Sequence, residues 1–173
     1  AIAVNPAAAV YHFNLGPVRK ALGDLPGAIA LYRRAVELSP GLVEAQMNLG
    51  NALRESGDAA AAIAPLREAV RLRPSAAEAH LNLGGALQDA GWLDEAVASY
   101  QSALALNSAL AEAHYNLGVA QFRRDELDIA LACLRRAVEL RPDHAGAWNN
   151  LAVVLEASGV QPEQLAAYAA TGI

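Results

Sequence analysis

Cysteine is almost absent from this sequence, since Cys133 is its only example. A single cysteine excludes an intramolecular disulfide and any metal site built from several thiolates. It agrees with a reducing compartment, and we expect the cytoplasm. We interpret Cys133 as a small, buried apolar residue, because that is the usual environment of a free cysteine.

Aromatic residues and runs of basic residues are also scarce. Aromatics make up only 5% of the chain, whereas hydrophobic residues, many of them alanine, make up 54%. This balance favours closely packed helices over a sheet of large β-forming residues, so we expect an all-α fold. The 13 Lys and Arg against 18 Asp and Glu give a net charge of −5 without a basic stripe. We therefore expect no nucleic-acid partner.

Long apolar segments are missing as well. A bilayer-spanning helix needs a run of about 18 apolar residues, and polar or charged residues interrupt every candidate in this chain. We expect no membrane insertion. Residues 1–6 lack the basic region of a signal peptide and match the end of a preceding repeat, so we expect the sequence to open inside such a repeat.

A period of 34 residues organises the whole sequence. Alanine recurs at this spacing in two series, which begin at Ala28 and Ala35, and proline recurs from Pro40 with one interruption at Ser108. The triplet Asn-Leu-Gly, changed to Asn-Leu-Ala in its last copy, begins at Asn14, Asn48, Asn82, Asn116 and Asn150. Several positions sharing one period indicate a repeat architecture.

Each repeat predicts two amphipathic helices, because apolar residues recur at spacings of three and four on both sides of a turn. In the second repeat we expect helices over residues 44–56 and 59–73. Gly57 lies where the first helix must end in a left-handed residue, and Asp58 can then cap the second helix. Equivalent turn positions in the other repeats hold Gly23, Gly91, Asp125 and Gly159.

Small residues inside the first helices predict close helix packing. Gly16, Gly50, Gly84 and Gly118 occupy one repeat position. We expect them to face the alanine series and to let the two helix axes approach closely. Pro17 and Pro65 lie within predicted helices and imply local kinks. Because Arg19 also replaces an apolar residue, the first repeat is expected to be the least regular.

The repeats predict one solenoid domain over residues 1–173. A helix pair of this kind cannot cover its own apolar face and is stable only when stacked on neighbours. Both ends should then expose apolar surface, which would permit end-to-end self-association. The predicted divisions are the end of a preceding repeat (1–8), four full repeats (9–42, 43–76, 77–110 and 111–144) and a partial fifth repeat (145–173).

The third repeat carries the most complete pattern: Ala77-Glu78-Ala79-His80-Leu81-Asn82-Leu83-Gly84, followed by Gly91, Ala96, Tyr100 and Ala103. This pattern resembles the tetratricopeptide repeat (TPR) family over essentially the whole chain. The resemblance implies an all-α, right-handed superhelical solenoid of stacked antiparallel helix hairpins. Within this family, the sequence is most similar to the arrays of O-linked N-acetylglucosamine transferases and their bacterial relatives. The repeats of those arrays also carry an asparagine before the Leu-Gly or Leu-Ala pair.

The same resemblance implies where a ligand would bind. In this family the first helix of each pair lines a concave surface, and a carboxamide there can both donate to and accept from a peptide backbone. Helices about 10 Å apart would supply one amide for roughly every three residues of an extended peptide. The alternative is that the amides bond only to neighbouring helices. The implied residues are Asn14, Asn48, Asn82, Asn116 and Asn150.

Two further sets of residues are expected on the same inner edge. Glu44, Glu78 and Glu112 would favour a basic or hydroxyl-rich segment, although first-turn glutamates also stabilise helices through the macrodipole. The apolar residues that precede the asparagines would form ligand pockets or pack against adjacent helices. They are Phe13, Met47, Leu81 and Tyr115. Arg54, Gln88 and Phe122 are weaker candidates for ligand contact.

Metal binding and catalysis are not indicated. His12, His80 and His114 share one repeat position, but they lie on successive helices, too far apart to hold one zinc ion at about 2.0 Å. We expect each to pack with one ring nitrogen hydrogen-bonded. No phosphate-binding loop, zincin helix or nucleophile elbow occurs, so we expect no enzyme activity and no cofactor.

The leading hypothesis is a protein–protein interaction scaffold that binds an extended peptide through its asparagines. One alternative is the substrate-recruiting arm of a larger enzyme, such as a glycosyltransferase. The other is a self-assembling structural rod. Acidic and amide residues replace the basic carboxylate clamp of chaperone-binding TPR domains, so a terminal carboxylate is not the expected ligand.

Overall fold

A computed structural model describes residues 6–159 of the chain. Over that range all regular structure is α-helical, with nine helices and no strand, so the predicted all-α helical repeat fold is confirmed. The helices are α1 (Pro6–Ala21), α2 (Leu25–Leu38), α3 (Val43–Glu55), α4 (Ala59–Leu72), α5 (Ala77–Asp89), α6 (Leu93–Leu106), α7 (Ala111–Arg123), α8 (Leu127–Leu140) and α9 (Ala145–Ala157).

The chain divides into two compact units, Ala1–Trp92 and Leu93–Ile173. Within the first unit, α1 packs on α2 and α3 packs on α4 as hairpins, and α3 also contacts α5 directly. Within the second unit, α7 packs on α8, and α7 also contacts α9. In each unit, first helices of successive repeats therefore lie side by side, which places equivalent side chains on neighbouring helices.

The turns inside the hairpins follow the predicted pattern. The glycines at this position have φ between 76° and 88°, in the left-handed region that L side chains avoid, and Asp125 has φ 63°. In the second repeat the helices span Val43–Glu55 and Ala59–Leu72, within one residue of the predicted bounds. The Asp58 carboxylate caps α4 by accepting from the backbone N–H of Ala61 at 3.0 Å.

The two alanine series form the centre of the packing. Ala28, Ala62, Ala96 and Ala130, and seven residues later Ala35, Ala69, Ala103 and Ala137, are all 0% exposed. Three of the glycines of the first helices, Gly16, Gly50 and Gly118, do not chiefly face them, contrary to our expectation. Gly16 lies against the ring of Tyr32, and Gly50 and Gly118 lie against Leu66 and Leu134. The missing side chain accommodates a large residue of the second helix.

The first repeat departs from the others, as its sequence suggested. Helix α1 has 16 residues, whereas α3 has 13, and α1 and α4 both continue through their internal prolines. Tyr11 is 63% exposed, although Ala45 at the same position of the second repeat is fully buried. Arg19 is exposed and pairs with Asp24 at 3.3 Å.

Some predicted segments lie outside the described residues. These are residues 1–5, expected to end a preceding repeat, and residues 160–173, which hold the expected second helix of the fifth repeat. None of the described helices combines the length and the hydropathy needed to cross a bilayer.

Candidate functional site

A polar cavity of about 460 Å³ opens on the first unit between the helices of three successive repeats. It brings together two of the predicted asparagines and several charged side chains. Its lining consists of Lys20, Tyr32, Asn48, Asn51, Ala52, Arg54, Glu55, Asn82 and Asp89. Most of these residues belong to first helices, so the stacking of α1, α3 and α5 creates the cavity.

The amides of Asn48 and Asn82 are available to a ligand. Each asparagine directly precedes a buried leucine, Leu49 or Leu83, and a helix turns by about 100° per residue. The leucine therefore enters the core while the asparagine stays partly buried at the cavity wall. No hydrogen bond joins either amide to another residue of the described range, so both keep donors and acceptors free.

Two ion pairs between neighbouring first helices contribute to the cavity lining. Lys20 Nζ lies 2.5 Å from Oε1 of Glu55, and Arg54 Nε donates to Oδ2 of Asp89 at 2.7 Å. Partners are 35 residues apart in both pairs, one more than the repeat period. The four side chains are 40–46% exposed, so the pairs add little stability. Their main effect is to hold the four charged groups in fixed positions.

Gly85 determines how Arg54 lies in the cavity. A Cβ at Gly85 would be 2.5 Å from Nη1 and 3.0 Å from Cζ of Arg54, so the guanidinium lies directly against this stretch of α5. Asn51 and Val119 occupy the same repeat position in the second and fourth repeats. A side chain of either kind at position 85 would obstruct the path of Arg54 to Asp89.

Tyr32 is the lining residue that comes from a second helix, α2. The residue is only 3% exposed, and its ring packs over Gly16. Burial raises the pKa of the Tyr32 hydroxyl, an effect that Lys20 partly opposes and Glu55 reinforces. The phenol therefore remains protonated at neutral pH and presents a neutral hydrogen-bonding group.

Asn51 contributes an unmet hydrogen-bond acceptor to the lining. Its Oδ1 atom is buried and has no hydrogen-bond partner in the described part of the chain. A buried polar atom without a partner costs about 1–3 kcal/mol. A donor that entered the cavity would relieve this cost if the carboxamide turned toward it.

The predicted glutamates lie away from this lining. Glu44 accepts from Arg73 Nη2 at 2.8 Å, and Glu112 accepts from Arg141 Nη2 at 2.6 Å. A hydrogen bond from its own backbone N–H, and then the Arg73 guanidinium, lowers the pKa of the Glu44 carboxyl. Glu78 is exposed on α5. Two of the three glutamates are thus neutralised by arginines of their own repeat, which weakens the reason to expect a basic ligand.

The remaining predicted asparagines have three different environments. Asn14 is exposed on α1, and Asn116 is partly buried on α7. Asn150 Nδ2 donates to the hydroxyl of Tyr115 at 3.2 Å, across the 35 residues that separate neighbouring first helices. Bonding between helices, the alternative to ligand contact, is therefore seen at Asn150, whereas Asn48 and Asn82 stay open.

The apolar candidates do not line the cavity. Met47 packs on a cluster of Val43, Ala69 and Ala79. Tyr115 packs against the core of the second unit, and its ring centroid lies 4.6 Å from that of His144. Leu81 is partly buried on α5. For Met47 and Tyr115, packing against adjacent helices is the observed arrangement.

Residues at the repeat position of the histidines make the same hydrogen bond in four repeats. A ring nitrogen of His80 or His114 lies 2.9 or 3.1 Å from the carbonyl oxygen six residues earlier, which confirms the predicted pairing for these two histidines. In the second and fifth repeats, Gln46 Nε2 and Trp148 Nε1 donate to the equivalent carbonyls at 3.1 and 2.8 Å. The described residues include no group of three or more side chains that could hold a metal ion.

Sequence reasoning missed most of the charged cavity. Arg54 was a weak candidate, and Lys20, Asn51, Glu55 and Asp89 were not singled out. A detectable signal existed, because opposite charges recur 35 residues apart at Lys20 and Glu55 and again at Arg54 and Asp89. Which amides remain open could not be read from the sequence, since it depends on packing.

Paired helices recurring at a constant interval define this molecule as an α-helical repeat protein. Family models described as TPR repeat match residues 18–57, 50–91 and 86–125, and one described as Tetratricopeptide repeat matches residues 111–144. The chain therefore belongs to the tetratricopeptide repeat family, whose arrays are scaffolds for protein–protein interaction.

Solved structures agree with this assignment. A crystal structure of MamA protein is 26% identical, covers 95% of this chain and 90% of its own, and has a TM-score of 0.83. MamA from Desulfovibrio magneticus is 20% identical, with coverage of 98% and 95% and a TM-score of 0.84. A thermophilic TPR protein of Thermus thermophilus is 25% identical, with coverage of 94% and 89% and a TM-score of 0.73. No curated protein matches the sequence.

Proposed function

We propose that this chain is a non-enzymatic scaffold that binds an extended peptide, or a disordered segment of a partner protein, along the first helices of its repeats. The single observation that carries the proposal is the pair of open amides, Asn48 and Asn82, on the wall of one cavity. Because the asparagines recur with the repeat, they would contact the peptide backbone at regular intervals.

The composition of the cavity supports a polypeptide ligand. Carboxamides on its wall can accept from a peptide N–H and donate to a peptide C=O. An extended peptide offers both groups at every residue, whatever its side chains are. Backbone recognition therefore suits a scaffold that accepts partners of varied sequence.

The test is a peptide-binding measurement on an asparagine variant. Peptides selected on an array would be titrated by fluorescence anisotropy against the native chain and against the double variant Asn48→Ala and Asn82→Ala. We expect the double variant to bind on the order of tenfold or more weakly, because each amide supplies hydrogen bonds of about 0.5–1.5 kcal/mol. Gln101→Ala, which removes an exposed carboxamide from α6, is the matched control.

The outcome distinguishes the two roles of the amides. Loss of binding with an unchanged helical circular-dichroism spectrum would support ligand contact. Full affinity in a folded double variant would reject it, and the amides would then have a packing role, as at Asn150.

A self-assembling rod is the second candidate, and the exposed apolar face of α1 favours it. Tyr11, Val18 and Leu22 are 63%, 53% and 76% exposed at that helix and its end, whereas Ala45 and Ala52, at the positions of Tyr11 and Val18, are buried. Light scattering over a dilution series would detect assembly. If the chain stays monomeric at every concentration, the rod hypothesis fails.

A further inference from the structure

The charges around the first-unit cavity cancel in pairs. Lys20 and Arg54 bring two positive charges, and Glu55 and Asp89 bring two negative charges. Each cation is held by one carboxylate, at 2.5 Å in one pair and 2.7 Å in the other. A ligand therefore meets paired charges in the lining and no net charge.

A charged ligand side chain would gain little in this environment. A lysine drawn to Glu55 would also meet Lys20, and a glutamate drawn to Arg54 would also meet Asp89. Like charges brought together at an interface are costly. A charged group would have to break an existing ion pair and leave another charge without its partner.

Apart from Ala52, the rest of the lining consists of neutral hydrogen-bonding groups. Asn48, Asn51 and Asn82 supply carboxamides, and Tyr32 supplies a protonated hydroxyl. The Oδ1 atom of Asn51 is buried and has no partner among residues 6–159, so it can accept from a ligand donor if the carboxamide turns toward the cavity. Arg54 uses Nε for Asp89, and its remaining N–H groups can donate to a carbonyl oxygen without adding net charge.

We infer that the cavity selects an uncharged polar stretch of its peptide, in which carboxamide or hydroxyl side chains accompany the main chain, and discriminates against acidic and basic residues. This inference rests on the proposed peptide-binding function and adds the chemical class of the bound segment. Specificity arises here from the cost that paired charges impose on a charged competitor.

The first experiment varies the peptide. An array of peptides of about nine residues, long enough to span three repeats, identifies a binder, and each of its positions is then replaced by Gln, Ser, Lys and Glu in turn. We expect at least one position at which Gln or Ser binds on the order of tenfold more tightly than either Lys or Glu. We also expect the dissociation constant of the neutral peptide to change less than about twofold with added salt, since no net charge attraction is screened.

The second experiment unbalances the cavity. Arg54→Gln leaves Asp89 without its cation, and Gln88 occupies the same position in the next repeat, so glutamine is compatible with this helix. We expect the preference to move toward the lysine peptide, on the order of tenfold relative to the glutamine peptide. Asp89→Asn leaves Arg54 unpaired and should move the preference toward the glutamate peptide. Arg34→Gln makes the same charge change at an exposed pair with Glu37 outside the lining, and it should leave the preference unchanged.

The results separate this inference from the proposal beneath it. If peptides bind and require Asn48 and Asn82, but Lys or Glu is preferred at every sensitive position, the neutral-segment inference is wrong while peptide binding stands. The same conclusion follows if Arg54→Gln and Arg34→Gln shift the preference equally. If no peptide on the array binds the folded chain, peptide recognition itself is rejected.

Discussion

Arg54 reaches across to the next repeat because Gly85 has no side chain. A Cβ at position 85 would fall 2.5 Å from Nη1 of the arginine, closer than non-bonded atoms normally come. The glycine lies in the middle of α5, where it weakens the helix relative to alanine. The sequence therefore has a residue of low helix propensity at the point where the cavity needs space for a guanidinium.

Replacing that glycine should separate stability from ligand recognition. In Gly85→Ala the added methyl displaces only the flexible end of Arg54, so the chain should be as stable as the parent or more stable by up to about 1 kcal/mol. The Arg54–Asp89 pair should be lost, and with it part of the discrimination against charged peptides. Urea denaturation gives the first result and peptide titration the second. A loss of stability above about 1 kcal/mol would contradict this account.

Gly50→Ala should behave in the opposite way, although it too adds a methyl group inside a helix. Its Cβ would overlap Cγ of Leu66 and lie 2.8 Å from Cδ2 of the same side chain, which is fully buried and has no room to move. Overpacking of this kind costs about 1–3 kcal/mol. Urea denaturation of Gly50→Ala and Gly85→Ala side by side tests the claim, because equal stabilities would show that the glycine–leucine contact does not restrict the hairpin.

The aspartate caps provide a third test. Asp58→Ala removes the acceptor for the Ala61 N–H and should cost about 1 kcal/mol. Glu126 occupies the same position before α8 but makes no side-chain cap hydrogen bond, so Glu126→Ala is the control and should change stability much less. Thermal unfolding followed by circular dichroism measures both variants. A comparable loss in the two would mean that the cap hydrogen bond is not the stabilising feature.

Glu44 should make stability depend on acidity. Its carboxyl pKa lies below the ordinary value of 4.5, owing to its backbone N–H and Arg73. A lowered pKa in the folded chain stabilises it above pH 4.5, and this stabilisation is lost as the pH falls through the folded value. The native chain should therefore exceed Glu44→Gln in stability at neutral pH, and the difference should shrink on acidification.

Urea denaturation across a pH series measures that difference. Glu78→Gln is the matched control, since Asn107 replaces the arginine at the equivalent position of its repeat. A difference between the native chain and Glu44→Gln that stays constant down to pH values well below 4.5 would rule out an ionic origin.

The sequence predicted the helices and turns well because their determinants are local. Gly57 and Asp58 end one helix and begin the next through backbone conformation and a hydrogen bond three residues away, which no distant contact needs to supply. Because the repeats share one period, the helix and turn positions predicted for one hairpin also applied to the others.

The cavity was less predictable because it depends on groups brought together by stacking. Asn48 and Asn150 occupy the same repeat position, yet Asn48 remains open while Asn150 binds Tyr115. The difference comes from the residue 35 positions earlier in the chain. That residue is Tyr115 for Asn150, whereas it is Phe13 for Asn48, and a phenylalanine offers no hydroxyl. A prediction from one repeat at a time cannot contain that information.

The hydrogen bond from the position of Gln46, His80, His114 and Trp148 to the carbonyl six residues earlier has a wider consequence. Glutamine, histidine and tryptophan can all bond to the same carbonyl before the helix, because each side chain carries an N–H at a suitable distance from its backbone. The residue type at this position can thus differ widely between repeats while the hydrogen bond to the segment that connects two hairpins is kept. Alignments that score it by residue similarity will underrate how closely two such repeats correspond.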